Sequence, residues 1–241
     1  VIAPGDGPPV LVRLEGLGVR AALDVVPSPS DTGVVYLGFP RNLPVSLRSL
    51  GRDVVDVTRL ELVNATPGLS LTLPAMAPFT LMPGGTYAFD LVVDPQVQGA
   101  ISGELEVVSS DRDNPTRRIT IGGEARVAPR VGTSSPAVAF GDVHVFRQPG
   151  QSQTLALRVT NSGGSALEVM SIGLGPGTSP DFAVTPTQLA GAIAAGDGVD
   201  LTLSYAPTAV GPDTGTLVLT TNDPLTPRLE VPVSGPTAVG A

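Results

Sequence analysis

The sequence predicts an all-β protein made of two tandem antiparallel β-sandwiches. Apolar and polar residues alternate over short stretches through most of the 241 residues, which is the period of a strand with one buried face. The chain also contains 29 Gly and 25 Pro, as expected for many short strands joined by turns. The strand pattern recurs 112 residues later in the chain. A repeat of this length indicates a duplicated domain rather than a solenoid.

Turn and strand residues align at the same shift. Asp111 falls on Asp223, Gly103 on Gly215 and Gly84 on Gly196. The aligned apolar positions are Phe89, Leu91 and Val93 with Leu201, Leu203 and Tyr205, Leu105 and Val107 with Leu217 and Leu219, and Ile119 and Ile121 with Val231 and Val233. Each set alternates with period two, so we expect each to line the buried face of a strand.

The first predicted domain covers residues 21–127. Its predicted strands are Val34–Phe39, Val45–Leu50, Val54–Leu62, Tyr87–Asp94, Glu104–Ser109 and Arg117–Ile121. Its early turn, Gly51 to Asp53, is predicted to be about two residues shorter than the matching turn in the second domain. Strands at this spacing, separated by turns, are typical of an antiparallel sandwich.

The second predicted domain covers residues 128–241. Its predicted strands are Ala137–Val145, Gln153–Thr160, Ala166–Leu174, Asp181–Thr185, Val199–Ala206, Thr214–Thr221 and Arg228–Ser234. The segment 131–136 is expected to join the two domains as a linker with limited freedom, since it holds one glycine and one proline.

Residues 1–20 are predicted to be the last strand of a preceding repeat, followed by a linker. Val12 to Gly16 have the apolar-to-glycine ending that recurs at Gly123 and Gly235. A lone strand is not stable by itself. We therefore expect residues 8–19 to pair with an edge of the first domain, to pair with another chain, or to form a linker.

Composition excludes several classes of partner and site. The net charge is −8 and the pI about 4.5, whereas nucleic acids and anionic membranes require a basic face. The absence of Cys leaves burial and sheet hydrogen bonds to hold the fold. No apolar run approaches the roughly 18 residues of a membrane span, so direct membrane insertion is not expected.

The motifs of the second domain resemble a known family. They run in the order Phe140-Gly141-Asp142-Val143, Leu157 to Gly163, Asp181 to Pro186, Tyr205-Ala206-Pro207, Gly215-Thr216-Leu217 and Thr221 to Pro224. This order resembles the Hydin-type, major-sperm-protein-like immunoglobulin repeats, and among them it is most similar to bacterial choice-of-anchor D domains. The resemblance is weaker in the first domain.

The resemblance implies immunoglobulin-like sandwiches in a large, exported bacterial protein at the cell surface or in the periplasm. It also implies protein partners and neighbouring repeats of the same protein. The family pattern contains no catalytic, cofactor or metal residues, so none is assigned to this chain.

Two motifs associated with enzymes are better explained by structure. Gly16 to Ala21 match the dinucleotide fingerprint GxGxxA, but Pro27 and Pro29 prevent the long helix that the fingerprint needs. His144 is the only histidine, which excludes a histidine metal cluster, and no GxSxG elbow accompanies it. A partly exposed strand position is the expectation for His144.

Three polar features remain as candidates. Asp111 to Asn114 offer oxygens to calcium, but they also fit a hairpin turn in which Asp and Asn bond to their own backbone. Asn64-Ala65-Thr66 is a glycosylation sequon, which we attribute to chance. Five arginines near the end of the first domain are expected to pair with acids across the domain junction or to meet an acidic partner, namely Arg112, Arg117, Arg118, Arg126 and Arg130.

The sequence thus predicts a non-catalytic structural, adhesive or scaffold segment that serves as a spacer or docks proteins. One alternative is a carbohydrate- or surface-binding module attached to an enzyme, although sugar sites usually stack aromatics and only nine Phe and Tyr are present. Another is an assembly subunit whose residues 8–19 complete a neighbour's sheet.

Overall fold

The computed structural model describes residues 13, 15–16, 18–26, 31–141 and 152–236. The all-β prediction is confirmed, because these residues form strands and turns without a helix. Within residues 21–127, here called the N-terminal region, the strands are β1 (Leu23–Val26), β2 (Asp31–Tyr36), β3 (Arg41–Ser49), β4 (Val55–Val63), β5 (Leu69–Thr72), β6 (Phe79–Leu81), β7 (Thr86–Val93), β8 (Gly99–Ser109) and β9 (Thr116–Arg126).

Residues 128–241, here called the C-terminal region, contain eight strands in their described part. These are β10 (Val131–Thr133), β11 (Val138–Ala139), β12 (Gln153–Asn161), β13 (Val169–Leu174), β14 (Phe182–Thr185), β15 (Gly198–Tyr205), β16 (Asp213–Thr221) and β17 (Arg228–Gly235).

The strands form four sheets. The N-terminal sheets have the orders β1-β3-β7-β5 and β2-β9-β8-β4-β6, and the C-terminal sheets have the orders β10-β12-β15-β14 and β11-β17-β16-β13. Nearly all printed pairings are antiparallel, and β11 with β17 is the parallel exception. Non-consecutive neighbours such as β12 and β15 require chain crossovers, which a sandwich of two sheets provides.

One hydrophobic core fills the C-terminal sandwich. Leu157, Leu201 and Leu203 come from one sheet, and Leu217 and Leu219 come from the other. All five are at most 1% exposed, and burying each such side chain contributes about 1.5–3 kcal/mol. The alternation read from the sequence therefore identifies the buried face of these strands correctly.

An aromatic cluster completes this core. The ring of Tyr205 lies 4.7 Å from that of Phe182 and 5.3 Å from that of Phe140, centroid to centroid. The Tyr205 hydroxyl donates to Asp213 Oδ2 at 2.8 Å, which satisfies its polar end. Burial and the neighbouring Asp213 carboxylate raise the pKa of Tyr205, so the phenol stays neutral.

The N-terminal region has the same alternation. Val45 and Leu47 on β3 and Leu91 on β7 are buried in one sheet, and Leu105 and Val107 on β8 are buried in the other. Each sheet thus has one apolar face, which a two-layer sandwich covers.

Several boundaries differ from prediction. Strands β1, β5 and β6 were not predicted, because three or four residues are too few to show alternation. Strand β9 continues through Gly122 and Gly123, which the sequence suggested as its end. Val131–Thr133, predicted as linker, forms strand β10 against β12.

The early turn of the N-terminal region is not shorter than its counterpart. Ser110 N–H donates to Asp56 O, and Asn222 N–H donates to Glu168 O at the equivalent positions 112 residues later. The shift is therefore the same before and after the turn, so the predicted length difference is wrong.

The chain divides into two compact units. One comprises Val1–Asp31, Asn42–Val92 and Ser102–Gly122, and the other comprises Thr32–Arg41, Val93–Ile101 and Gly123–Ala241. The boundaries 1–20, 21–127 and 128–241 stay a prediction. The predicted strand of residues 8–19 falls largely outside the described residues, and its described members are irregular.

Candidate functional site

The aspartate of the first recurring turn holds backbone together. Asp111 Oδ1 accepts the N–H groups of Asp113 at 3.0 Å and Asn114 at 3.3 Å, and Oδ2 accepts the N–H of Leu23 at 3.0 Å. The carboxylate therefore closes the β8–β9 turn and fixes the first residue of β1. Burial by itself raises the pKa of Asp111, but these N–H donors and the Arg117 charge bring it below its ordinary value of 3.8.

The aspartate of the second turn does the same work. Asp223 Oδ1 accepts the Leu225 N–H at 2.9 Å, and Oδ2 accepts the Val131 N–H at 3.0 Å, fixing the first residue of β10. Arg130 Nη1 lies 3.6 Å from Oδ1. Asp223 is 1% exposed, so its charge is stabilised almost entirely by protein donors.

These contacts explain the motif without a metal. The oxygens of Asp111 point at peptide N–H groups, and Asp113 Oδ2 forms an ion pair with Arg20 at 2.6 Å. Within the described ranges, no three His, Cys, Asp or Glu side chains lie close enough to share a metal ion. The chemistry of this turn is backbone capping.

Asn161 is a second polar anchor, and its role was not visible in the sequence. Its Oδ1 accepts the N–H groups of Arg130 and Gly163, and its Nδ2 donates to the carbonyls of Ser165 and Ile193 at 2.7 and 3.0 Å. An Asn that ends an apolar strand immediately before Ser-Gly-Gly was the available signal. At the matching position, Ser49 is buried and its hydroxyl has no partner.

The glycine near the end of each recurring final strand is required by close packing. A Cβ on Gly235 would lie 2.3 Å from the ring of Tyr205, and one on Gly123 would lie 2.0 Å from Thr32 Oγ1. Gly16, the third copy in the sequence, has nothing within 4 Å of its Cβ position. The glycine pattern thus has a steric cause at two of its three positions.

Four of the five clustered arginines pair with acids of their own compact unit. Arg117 lies 2.9 Å from Asp24, and Arg118 lies 2.7 Å from Glu106. Arg126 pairs with Glu124, as Arg130 does with Asp223. The predicted pairing across the domain junction is therefore wrong for these four.

The remaining sequence candidates gain no site geometry. After Gly16 and Gly18 the chain is irregular up to β1, so a strand stands where the dinucleotide fingerprint needs a helix. His144 lies outside the described residues. Asn64 is exposed and has a φ of 52°, typical of Asn in a turn.

The aromatic residues do not form a sugar-binding platform in the part of the chain that is described. Phe89, Phe140, Phe182 and Tyr205 are buried. The other described aromatics are half-buried, including Phe79 and Tyr87, which stack on one another at 4.1 Å. None offers the exposed ring face on which sugar stacking depends.

An ionic ladder covers the outer face of the β9-β8-β4 sheet. Glu106 on β8 is only 3% exposed, and its oxygens lie 3.0 Å from Arg59 on β4 and 2.7 Å from Arg118 on β9. Arg59 also pairs with Glu61, and Arg118 with Glu104. We call these five residues the ionic ladder. Like charges two apart on β4, β8 or β9 signal such a face, but the pairing register is needed to join them.

The matching face of the C-terminal region is nearly uncharged. The positions 112 residues after the ladder hold Ser171, Gly173, Thr216, Val218 and Glu230. The single charge, Glu230, bonds its neighbour Arg228 at 2.8 Å. A shallow groove of about 350 or less is not required here for shape; the groove present measures 230 Å³ and is lined by Ser171, Gly173, Val218, Thr220 and Arg228 among others.

Strand β13 borders this groove as the last strand of its sheet. It pairs with β16 on one side, and in the described chain its other side carries only the bridge of Leu167 to Ile193, just before the strand begins. Its sequence, Val-Met-Ser-Ile-Gly-Leu, has no charged residue. We call β13 and the groove beside it the β13 edge.

Comparison with known proteins agrees with the sequence resemblance. Residues 126–229, less than half of the chain, match the family model described as ASH: Abnormal spindle-like microcephaly-assoc'd, ASPM-SPD-2-Hydin. The Hydin-type resemblance is thereby confirmed for this segment, and with it an immunoglobulin-like, PapD-like domain of a non-enzymatic family. The closer likeness to choice-of-anchor D domains stays a prediction. No match is found among the curated proteins.

Solved structures are similar at low identity. A protein of unknown function from Porphyromonas gingivalis W83 has 13% identity and a TM-score of 0.38, with 89% of this chain and 99% of that chain covered. The ASH/PapD-like domain 7 of human CEP192 has 14% identity and a TM-score of 0.34, covering 47% and 88%. Fibronectin(III)-like modules of Clostridium thermocellum CbhA have 11% identity and a TM-score of 0.34, covering 91% and 95%. At these identities the similarity concerns the fold alone.

The part of the chain that the structure describes contains no helix with the length and hydropathy of a membrane span.

Proposed function

We propose that this chain is a non-catalytic protein-docking and spacer segment of a larger tandem-repeat protein, exported by a bacterium to its surface or periplasm. The family match of residues 126–229 supports the interaction role. The recurrence of the same Asp-to-backbone bonds at Asp111 and Asp223 supports descent of the two regions from one repeated unit.

The observation that carries the docking role is the β13 edge. An open strand presents a row of peptide N–H and C=O groups, to which an extended peptide adds as a further strand. Natural proteins usually protect such edges with charges. Strand β13 has no charge, whereas its counterpart β4 carries Asp56, Arg59 and Glu61. This difference favours the C-terminal region as the docking part and the N-terminal region as the spacer.

The groove supports the same mode. A strand added beside β13 would place alternate side chains over Gly173 and Ser171, where a Cβ on Gly173 meets nothing within 4 Å. Main-chain bonds then supply affinity, and the groove selects the side chains.

The test is selection of extended peptides from a displayed random library against the intact chain, followed by measurement of Kd. A Ser171→Lys/Gly173→Glu variant puts opposite charges on the β13 edge. A matched control, Ser70→Lys/Thr72→Glu, puts the same charges on β5, another terminal strand of its sheet. We expect the β13 variant to weaken binding at least about tenfold and the β5 variant to leave it unchanged. Equal effects, or no selected binder, would contradict the proposed edge.

A further inference from the structure

All three methionines of the chain lie on its surface. Met76 is 82% exposed, Met82 is 66% exposed and Met170 is 59% exposed. Methionine is ordinarily among the most buried residue types, because its thioether fills gaps in cores. The chain has no Cys, so these thioethers are its whole sulfur content.

The backbone turns each thioether away from the cores. Met170 is the extra residue of a β-bulge, since Val169 pairs with Thr221 and Ser171 with Thr220. A bulge redirects side chains to the outside of a sheet. Met82 begins a tight turn that the Gly85 N–H closes by donating to the Met82 carbonyl at 2.8 Å.

The third methionine lies in a loop held by other groups. Met76 follows Ala75, whose N–H donates to the Tyr87 hydroxyl at 3.1 Å. The backbone of this loop is therefore positioned without any contribution from the methionine side chain.

The fold has no need of a thioether at these positions. The residues 112 positions away are Thr58, Gln188 and Ala194, which are polar or small. Thr58 is also the extra residue of a bulge, between Val57 and Arg59. A polar group at the end of each methionine side chain therefore disturbs no packed surface.

We propose that Met76, Met82 and Met170 are peroxide-oxidation sites, which the folded chain accepts as sulfoxides without unfolding. The sulfur lone pair attacks one oxygen of a hydroperoxide and the O–O bond breaks. An S–O bond forms, the sulfur is oxidised by two electrons, and the second oxygen leaves as water or an alcohol after proton transfer. The chain thus takes up one oxygen atom per methionine while its sandwiches stay intact.

The test is treatment of the intact chain with hydrogen peroxide, folded and in denaturant, followed by peptide mass spectrometry. We expect each methionine to react within about threefold of its rate in denaturant, since all three are already exposed to solvent. The fully oxidised chain should melt within about 2 °C of the untreated chain.

A buried thioether provides the matched control. Leu219→Met places one on β16 at a position that is 0% exposed, and Leu217→Met is a second choice should the first variant unfold. Either introduced methionine should react at least about tenfold more slowly in the folded chain than in denaturant. Protection of Met76, Met82 or Met170 comparable to that control, or loss of cooperative melting after oxidation, would overturn the proposal.

Discussion

At the scale of single residues, the recurring Asp-rich turn shows how a polar motif is used inside a protein. Three peptide N–H groups converge on Asp111, and two peptide N–H groups plus Arg130 converge on Asp223. The sequence showed that these residues were acidic and in turns. It could not show that one oxygen of each reaches the first residue of a strand 88 or more positions earlier.

Asp111→Asn is expected to destabilise the chain by about 1–3 kcal/mol at pH 7, because charged acceptors bind backbone N–H groups more strongly than amides do. The native pKa of Asp111 lies below 3.8, so its carboxylate contributes stability above that pH. This contribution is lost as the pH falls through 3.8 and then through the lower native pKa.

Urea unfolding at pH 7 and at pH 3 measures both effects. The difference in unfolding free energy between Asp111→Asn and the parent chain should shrink at the lower pH. Asp113→Asn is the control, since Asp113 is exposed and bonded through its side chain only to Arg20. A destabilisation by Asp111→Asn that is the same at both pH values would show that its charge does not matter.

Asn161→Ala is expected to cost about 2–4 kcal/mol, because four bonds are lost and two buried N–H groups and two carbonyls lose their partner. Ser49→Ala at the matching position should change stability by less than about 0.5 kcal/mol, since the Ser49 hydroxyl has no partner. Chemical denaturation of the two single variants makes the comparison. Similar losses for both would mean that Asn161 acts by filling space.

At the scale of elements, long alternating strands were predictable and short ones were not. Strands β12 and β15 were found nearly to the residue, because eight or nine alternating residues identify a buried face. Strand β10, with three residues, depends on bonds from Asn161 and Asp223, which only the folded chain brings near it. The ionic ladder was likewise hidden, since a bulge at Thr58 sets which residues of β4 and β8 face each other.

Gly235→Ala tests the steric basis of the strand-end glycine. A methyl group there would lie 2.3 Å from the fully buried Tyr205 ring, so we expect a loss of about 1–3 kcal/mol from overpacking. Gly173→Ala is the control within a strand, because its Cβ position is empty and a strand favours Ala over Gly slightly. Thermal melting followed by circular dichroism distinguishes them. If the two variants melt at the same temperature, close packing is not the reason for the glycine.

At the scale of the whole molecule, the two regions share a framework and differ on their surfaces. Equivalent bonds at Asp111 and Asp223 hold the first strand of each region. The outer face that carries the ionic ladder in one region is almost uncharged in the other. Because a partner meets surfaces rather than frameworks, the family resemblance predicts the fold well and the partner poorly.

A fragment of residues 126–236 should fold by itself, because every residue of the C-terminal core cluster lies between Val131 and Val233. A fragment of residues 137–236 keeps that core except Val131 but lacks β10, and with it the bonds that Arg130 and Val131 give to Asn161 and Asp223. We expect the longer fragment to unfold cooperatively in urea and the shorter one to be destabilised by several kcal/mol, about the cost of leaving buried polar groups unpaired. Tyr205 is the only tyrosine in either fragment, and no Trp is present, so its fluorescence reports on the core directly. A longer fragment without a cooperative transition would show that the C-terminal region is not an independent domain, whereas equal stability of the two fragments would show that β10 adds nothing to it.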